Sequence, residues 1–165
     1  MCPGCGAVLK DIDGPTHPYM LSSPTCFAAY TELLAFEYSD PALMPTHRLS
    51  VDAFAVQHPG DGVSRQAIQS VGLHLARLAV QLQHLHVPNR SADIMLLLGK
   101  YKGELEALSP PIEFSMTIAD VQADAGTPAH ICAVTNWAKS AWNDWREHHD
   151  YILDWAERHL SIDNR

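Results

Sequence analysis

Two cysteines with two residues between them, in Cys2-Pro3-Gly4-Cys5-Gly6, are the residues of this chain with the most specific chemistry. A Cys-X2-Cys with Pro and Gly nearby is the geometry of a zinc knuckle. The turn aims both thiolates at one point, and its amides are placed to hydrogen-bond the sulfurs. Zinc takes four ligands, and no second Cys-X2-Cys follows. The candidates that complete the set are Cys26 and one of His17, His47 and His58. Cys26 falls in the first turn of an expected helix, where the helix dipole favours the thiolate. Zinc is therefore the expected cofactor. A redox Cys-X-X-Cys fits less well, because that motif opens a helix in a βαβ setting and no such pattern is present.

Ten histidines accompany the four cysteines. His47 and His58 fall on one face of an expected helix together with Val51 and Phe54. Asp52 lies off that face, where it can orient a histidine or pair with Arg48. Gln57 is placed to hydrogen-bond a substrate. His74 flanks an apolar stripe, and with Gln66 and Ser70 it makes a polar seam into the interior. His148 shares a stripe with Trp137, Ala141, Trp145, Ile152 and Trp155, which puts it on a buried face among indoles. Asp52, His74 and His148 are the candidate catalytic residues. A three-His metal site would draw His58, His74 and His148 from three different helices. Each of these histidines also has an ordinary reading, as a helix-end cation or a hydrogen-bonded core residue. His84, His86 and His159 read as surface residues, and Cys132 as a small buried apolar one. There is no Ser-His-Asp order, phosphate loop, dinucleotide fingerprint or H-E-x-x-H.

The elements that must position these groups are helical. Residues 1–22 are rich in Gly and Pro and read as a turn-rich segment that a metal on Cys2 and Cys5 would tie down. Ser23-Pro24 starts a helix reaching about Tyr38, with Phe27, Tyr30 and Leu34 inward. Pro45-Thr46 opens a second helix over residues 47–58, and Ser64 caps a third of about 22 residues with Ile68, Val71, Leu75, Leu78, Leu82 and Leu85 as its stripe. Ser91 starts a fourth, with Ile94, Leu97, Tyr101, Leu105 and Leu108 inward. Pro110-Pro111 breaks the chain. Residues 112–118 alternate as a short strand would, while Thr117 and Asp120 form a capping pair for a short helix instead. Thr127-Pro128 begins a last helix to about Leu160. At 1.5 Å per residue it would be roughly 50 Å long, so a bend or break is expected. The fold class is all-α: one bundle-like domain of four to five helices over residues 1–165, a knuckle-like segment 1–22 preceding a helical body 23–160.

Lys and Arg number 11 against 19 Asp and Glu, for a net charge of −8. That balance argues against nonspecific binding to nucleic acid or an anionic membrane, which needs clustered Lys and Arg. No apolar run exceeds five residues, far short of the roughly 18 of a membrane span. With no basic-then-apolar leader, the expected location is the cytoplasm, where thiols stay reduced and a close Cys pair favours a metal over a disulfide. The expected partner is an unidentified small molecule or protein, and a Trp-rich stretch on the last helix offers a face for a homodimer.

Several blocks together resemble a family of uncharacterised bacterial proteins: Cys2-Pro3-Gly4-Cys5-Gly6, Asp13-Gly14-Pro15-Thr16-His17-Pro18-Tyr19, Ser23-Pro24-Thr25-Cys26-Phe27, and His47-Arg48-Leu49-Ser50-Val51-Asp52-Ala53-Phe54-Ala55-Val56-Gln57-His58-Pro59. The resemblance continues through Ser64–Val71 and more loosely into the Trp- and His-bearing last helix. It implies a bacterial source and a shared fold, points to His17, Cys26, His47, Asp52 and His58 beside the Cys pair, and brings no reaction. In architecture the chain is also similar to metal-dependent four-helix proteins of the damage-inducible type, which hold a metal on three His and act as hydrolases or thiol transferases. It departs from them in its Cys pair and in lacking a His-X3-His on the late helix.

Three functions follow from these residues. A closed metal with four protein ligands would stabilise a binding protein. A metal with an open position would make a hydrolase or transferase, with a His or Asp52 as base. Without a metal, Cys2 exposed as a new N-terminus would be a nucleophile.

Overall fold

In the computed structural model, three of the α-helices begin at a side-chain cap. The structure describes residues 1–83, 85 and 94–162. The Ser23 hydroxyl accepts the Cys26 amide, and Pro24 opens α1 (Pro24–Ser39). A 3₁₀ turn over Met44–Thr46 leads into α2 (His47–Val56). Ser64 caps α3 (Arg65–Leu82) through the Ala67 amide. Next come α4 (Ile94–Gly99), α5 (Ile118–Val121), α6 (His130–Asp144) and α7 (His149–Ile162). Among the described residues there are seven α-helices and no strand.

The all-α expectation holds, but the count of four to five does not. Two causes account for the difference. Thr117 and Asp120 form a reciprocal capping box, so residues around 118 make the short α5 rather than a strand. The expected last helix breaks at Trp145. There the Trp145 Nε1–H donates to the Val56 carbonyl (3.2 Å), and a 3₁₀ turn over Arg146–His148 separates α6 from α7. The readings for His84, His86 and the Ser91 helix start lie outside the described residues.

α2 is the central element. It packs against α3 and α6 and touches α1, while α3 also carries α4 and α7. Its far end is fixed from both sides. Gln57 accepts the Trp137 Nε1–H (2.9 Å) and donates to the Met116 carbonyl (2.6 Å). This committed side chain is a structural anchor, not the substrate contact expected of it. Phe54, Leu75, Leu78, Trp137, Trp145 and Ile152 fill the core.

Several expected faces are corrected here. α1 turns Cys26, Ala29, Leu33 and Glu37 inward, and leaves Phe27 and Tyr30 half-buried at the core's edge. All four tryptophans are buried, so the indoles of the Trp-rich stretch pack into the core. Cys132 is exposed, on a side of α6 that also exposes Ile131. His159 is buried, stacked on Tyr101 with ring centroids 4.1 Å apart and bonded through Nε2 to Glu104 (3.0 Å). His148 is half-buried, its Nε2–H donated to the Ser109 carbonyl (2.9 Å). No helix among the described residues is long and apolar enough to cross a membrane.

Candidate metal centre

The knuckle closes on itself through two backbone bonds, Cys2 N–H to Ala7 O (2.8 Å) and Gly6 N–H to Cys2 O (3.0 Å). Gly6 takes φ +77°, a left-handed conformation suited to glycine. The closed turn lies against residues 21 and 57–58, which meet it at Gly4.

Three separate elements then bring donors to one point. The knuckle supplies Cys2 and Cys5. The first turn of α1 supplies Cys26, set by the Ser23 cap. His58, just past the end of α2, supplies Nε2. Its Nδ1–H donates to the Phe54 carbonyl (2.7 Å), and its ring stacks on Phe54 at 3.9 Å. That bond fixes the tautomer and frees Nε2 to act as a ligand, the usual outer-shell arrangement of a metal-bound histidine.

All four donor atoms lie within 4.8 Å of one another. Cys26 Sγ stands 3.3 Å and Cys2 Sγ 3.5 Å from His58 Nε2, and Cys5 Sγ is 3.6 Å from Cys26 Sγ. A tetrahedral zinc with ordinary Zn–S and Zn–N lengths sets its ligands about 3.5–3.8 Å apart. These three edges are close to that size, and the other three are no longer than 4.8 Å. Each of the four residues is 3% exposed or less. The Ser23 N–H also donates to Cys2 Sγ (3.4 Å), the kind of amide support that stabilises a thiolate.

The thiols are electrostatically unequal. Hydrogen bonds from Cys26 and then Cys5 hold the Cys2 thiol far below its usual range, against the effect of burial. The same bond to Cys2 raises Cys5 to about 12 and pushes Cys26 still higher. A cation bound there would displace the protons that the thiols hold.

The other sequence candidates stand elsewhere. His17 accepts the Met20 amide at Nδ1 (3.3 Å) and meets Tyr19 edge-on; it is not one of the four donors. His47 bonds Glu37 through Nδ1 (3.0 Å) and Tyr38 OH through Nε2 (3.1 Å). Asp52 pairs with His74 and Arg77, and Arg48 is not among its partners. His58, His74 and His148 do not converge. Cys2, Cys5, Cys26 and His58 are the one such group among the described residues. Sequence reasoning missed Glu37, His130 and Arg77. Glu37 falls four and eight residues after the buried Leu33 and Ala29 of α1, a spacing that marks it as inward-facing.

The sequence matches the description "Family of unknown function (DUF5946)" over residues 1–146, a span that contains all four donors. The chain belongs to this family. The DUF5946 match ends at the turn between α6 and α7, so α7 lies beyond it. No curated protein and no solved structure matches the chain.

Proposed function

We propose that this DUF5946 chain is a zinc-stabilised helical protein whose metal is structural. Cys2, Cys5, Cys26 and His58 would hold one Zn²⁺ with four protein ligands and fasten residues 1–22 to α1 and α2. The observation carrying this reading is the buried, tetrahedron-sized Cys3His cluster. Four protein donors leave no position for a catalytic water, and closed sites of this kind are structural. Three thiolates select zinc over the hard cations, which prefer oxygen. A thiolate site of this kind is best suited to a reducing compartment such as the cytoplasm. Its role is then to bind a partner or small ligand through the helical body.

Metal content per chain, with X-ray absorption at the zinc edge, tests the proposal. The expected result is one zinc with three sulfurs and one nitrogen. One metal with fewer protein ligands and a bound water would replace this reading with a metal-dependent hydrolase or transferase. Carefully purified protein without metal would overturn both.

A further inference from the structure

The knuckle is the wall of an open groove of about 730 Å³. Its lining comes from residues 1–8, which include Cys2 and Cys5, and from the segment after the Pro110-Pro111 break. Cys26 is not among the lining residues. Its Sγ stands 3.6 Å from Cys5 Sγ. Cys5 thus sits between the groove and a second thiol. Each of the three clustered cysteines is 3% exposed or less, so only a small reagent passes this wall. Glu113 and Asp120 line the groove, and no Lys or Arg does. A neutral reagent is therefore favoured over an anion.

The two thiols are also held in place from their backbones. Cys5 belongs to the turn closed by the Cys2–Ala7 and Gly6–Cys2 bonds, and Cys26 follows the Ser23 cap. A disulfide sets its sulfurs about 2.05 Å apart, so these two must close by roughly 1.5 Å, within reach of side-chain rotation. Cys2 Sγ is engaged differently: it accepts the Ser23 amide (3.4 Å) and stands 3.5 Å from His58 Nε2.

Resting on the zinc reading above, we infer that Cys5 and Cys26 form an oxidative modification site whose substrate is a small neutral peroxide, and that reaction there releases the metal. The Cys5 thiolate attacks one peroxide oxygen. The O–O bond breaks, the sulfur becomes a sulfenic acid, and hydroxide leaves. The Cys26 thiolate then attacks that sulfur, forming the S–S bond and expelling a second hydroxide. Two thiolates give up two electrons, and one peroxide is reduced to two hydroxides, which the buffer protonates to water. Only Cys2 and His58 then remain as donors, half of what a structural zinc takes. The four donors come from the knuckle, α1 and the end of α2; the disulfide joins only the first two. Oxidation therefore keeps the knuckle on α1 while it frees His58.

The test uses the full zinc-loaded chain carrying Cys132→Ser, which removes the exposed thiol of α6 and with it links between molecules. Hydrogen peroxide is added, a chromogenic chelator follows free zinc, and mass spectrometry of alkylated digests maps the disulfides. The expected result is about one zinc released per Cys5–Cys26 bond formed, with reductant and added zinc restoring the starting protein. Zinc retained at a peroxide dose that oxidises the same chain in denaturant overturns the inference. So does zinc lost with a Cys2–Cys5 bond, or with sulfinic acids and no Cys5–Cys26 bond. A zinc-loaded chain that fails in these ways leaves the structural-zinc proposal standing. Metal analysis before the oxidant separates the two: a chain that holds no zinc sinks that proposal, and mapping the same bond in it still decides the Cys5–Cys26 pairing, whose absence overturns the inference.

Discussion

Gly4 and His58 touch so closely that a Cβ added to residue 4 would fall 2.7 Å from His58 Cδ2 and 2.1 Å from the Leu21 carbonyl. The second contact is with backbone, which cannot rotate away. Gly4→Ala must therefore lift the knuckle off the ligand histidine. The expected outcome is zinc affinity lowered about tenfold or more, with helix content retained; competition with a chromogenic chelator measures it.

Removing the metal, or one ligand, should loosen the whole N-terminal half. Cys26→Ser and His58→Ala are each expected to lose zinc and to melt well below wild type. A domain of this size moves about 2–4 °C per kcal/mol, and a structural zinc contributes many times that. Calorimetry with and without chelator should converge: chelated wild-type protein melts near the ligand variants.

Zinc loading should release protons, because hydrogen bonds to Cys2 raise the Cys5 and Cys26 thiols while those same neighbours lower Cys2. A raised ligand pKa means that protons compete with the metal below that pKa. Affinity is therefore expected to rise with pH and to fall as pH drops. Titration calorimetry in buffers of different ionisation enthalpy should find about two protons released per zinc near pH 7. Release of none would contradict the thiol arrangement.

A second buried acid holds three helices together. Glu37 of α1 accepts from Ser50 Oγ (2.5 Å) and His47 Nδ1 (3.0 Å) of α2, and from His130 Nε2 (3.2 Å) of α6. His130 Nδ1 accepts the Gly126 amide, so Nε2 is the nitrogen that donates. Glu37→Ala strands these donors in the interior and is expected to cost about 3–5 kcal/mol. Urea unfolding would read it, and zinc stoichiometry should stay at one.

Much of the scaffold could be read from local chemistry. Ser23-Pro24, Ser64 and the Thr117–Asp120 pair mark helix starts, because capping is decided within one turn of chain. Cys2, Cys5 and Cys26 were legible for a similar reason: thiols in a turn and in a first helical turn have few other uses. Which histidine joined them was not legible. His17, His47 and His58 have equivalent chemistry, and only the docking of α2's end beneath the knuckle separates them. The inward face of α1 was misjudged because two of its buried positions, Cys26 and Glu37, are buried for polar pairing, which a hydropathy stripe does not register. His159 and Cys132 exchanged their expected places for a related reason. The packing of α7 against its neighbours sets one, the exposed side of α6 the other, and neither is encoded nearby in sequence.

Cys2 and His58 are 56 positions apart in the chain, and Cys26 and His58 are 32 apart. A metal joining them acts as a covalent staple would, closing two nested loops and limiting what the unfolded chain can explore. A metal held there would also be coupled to assembly: Cys2, Cys5 and Cys26 all precede α2 in the chain, and His58 would complete the set only with the end of α2 docked. The last bond to such a metal would then report that the first two helices are in place.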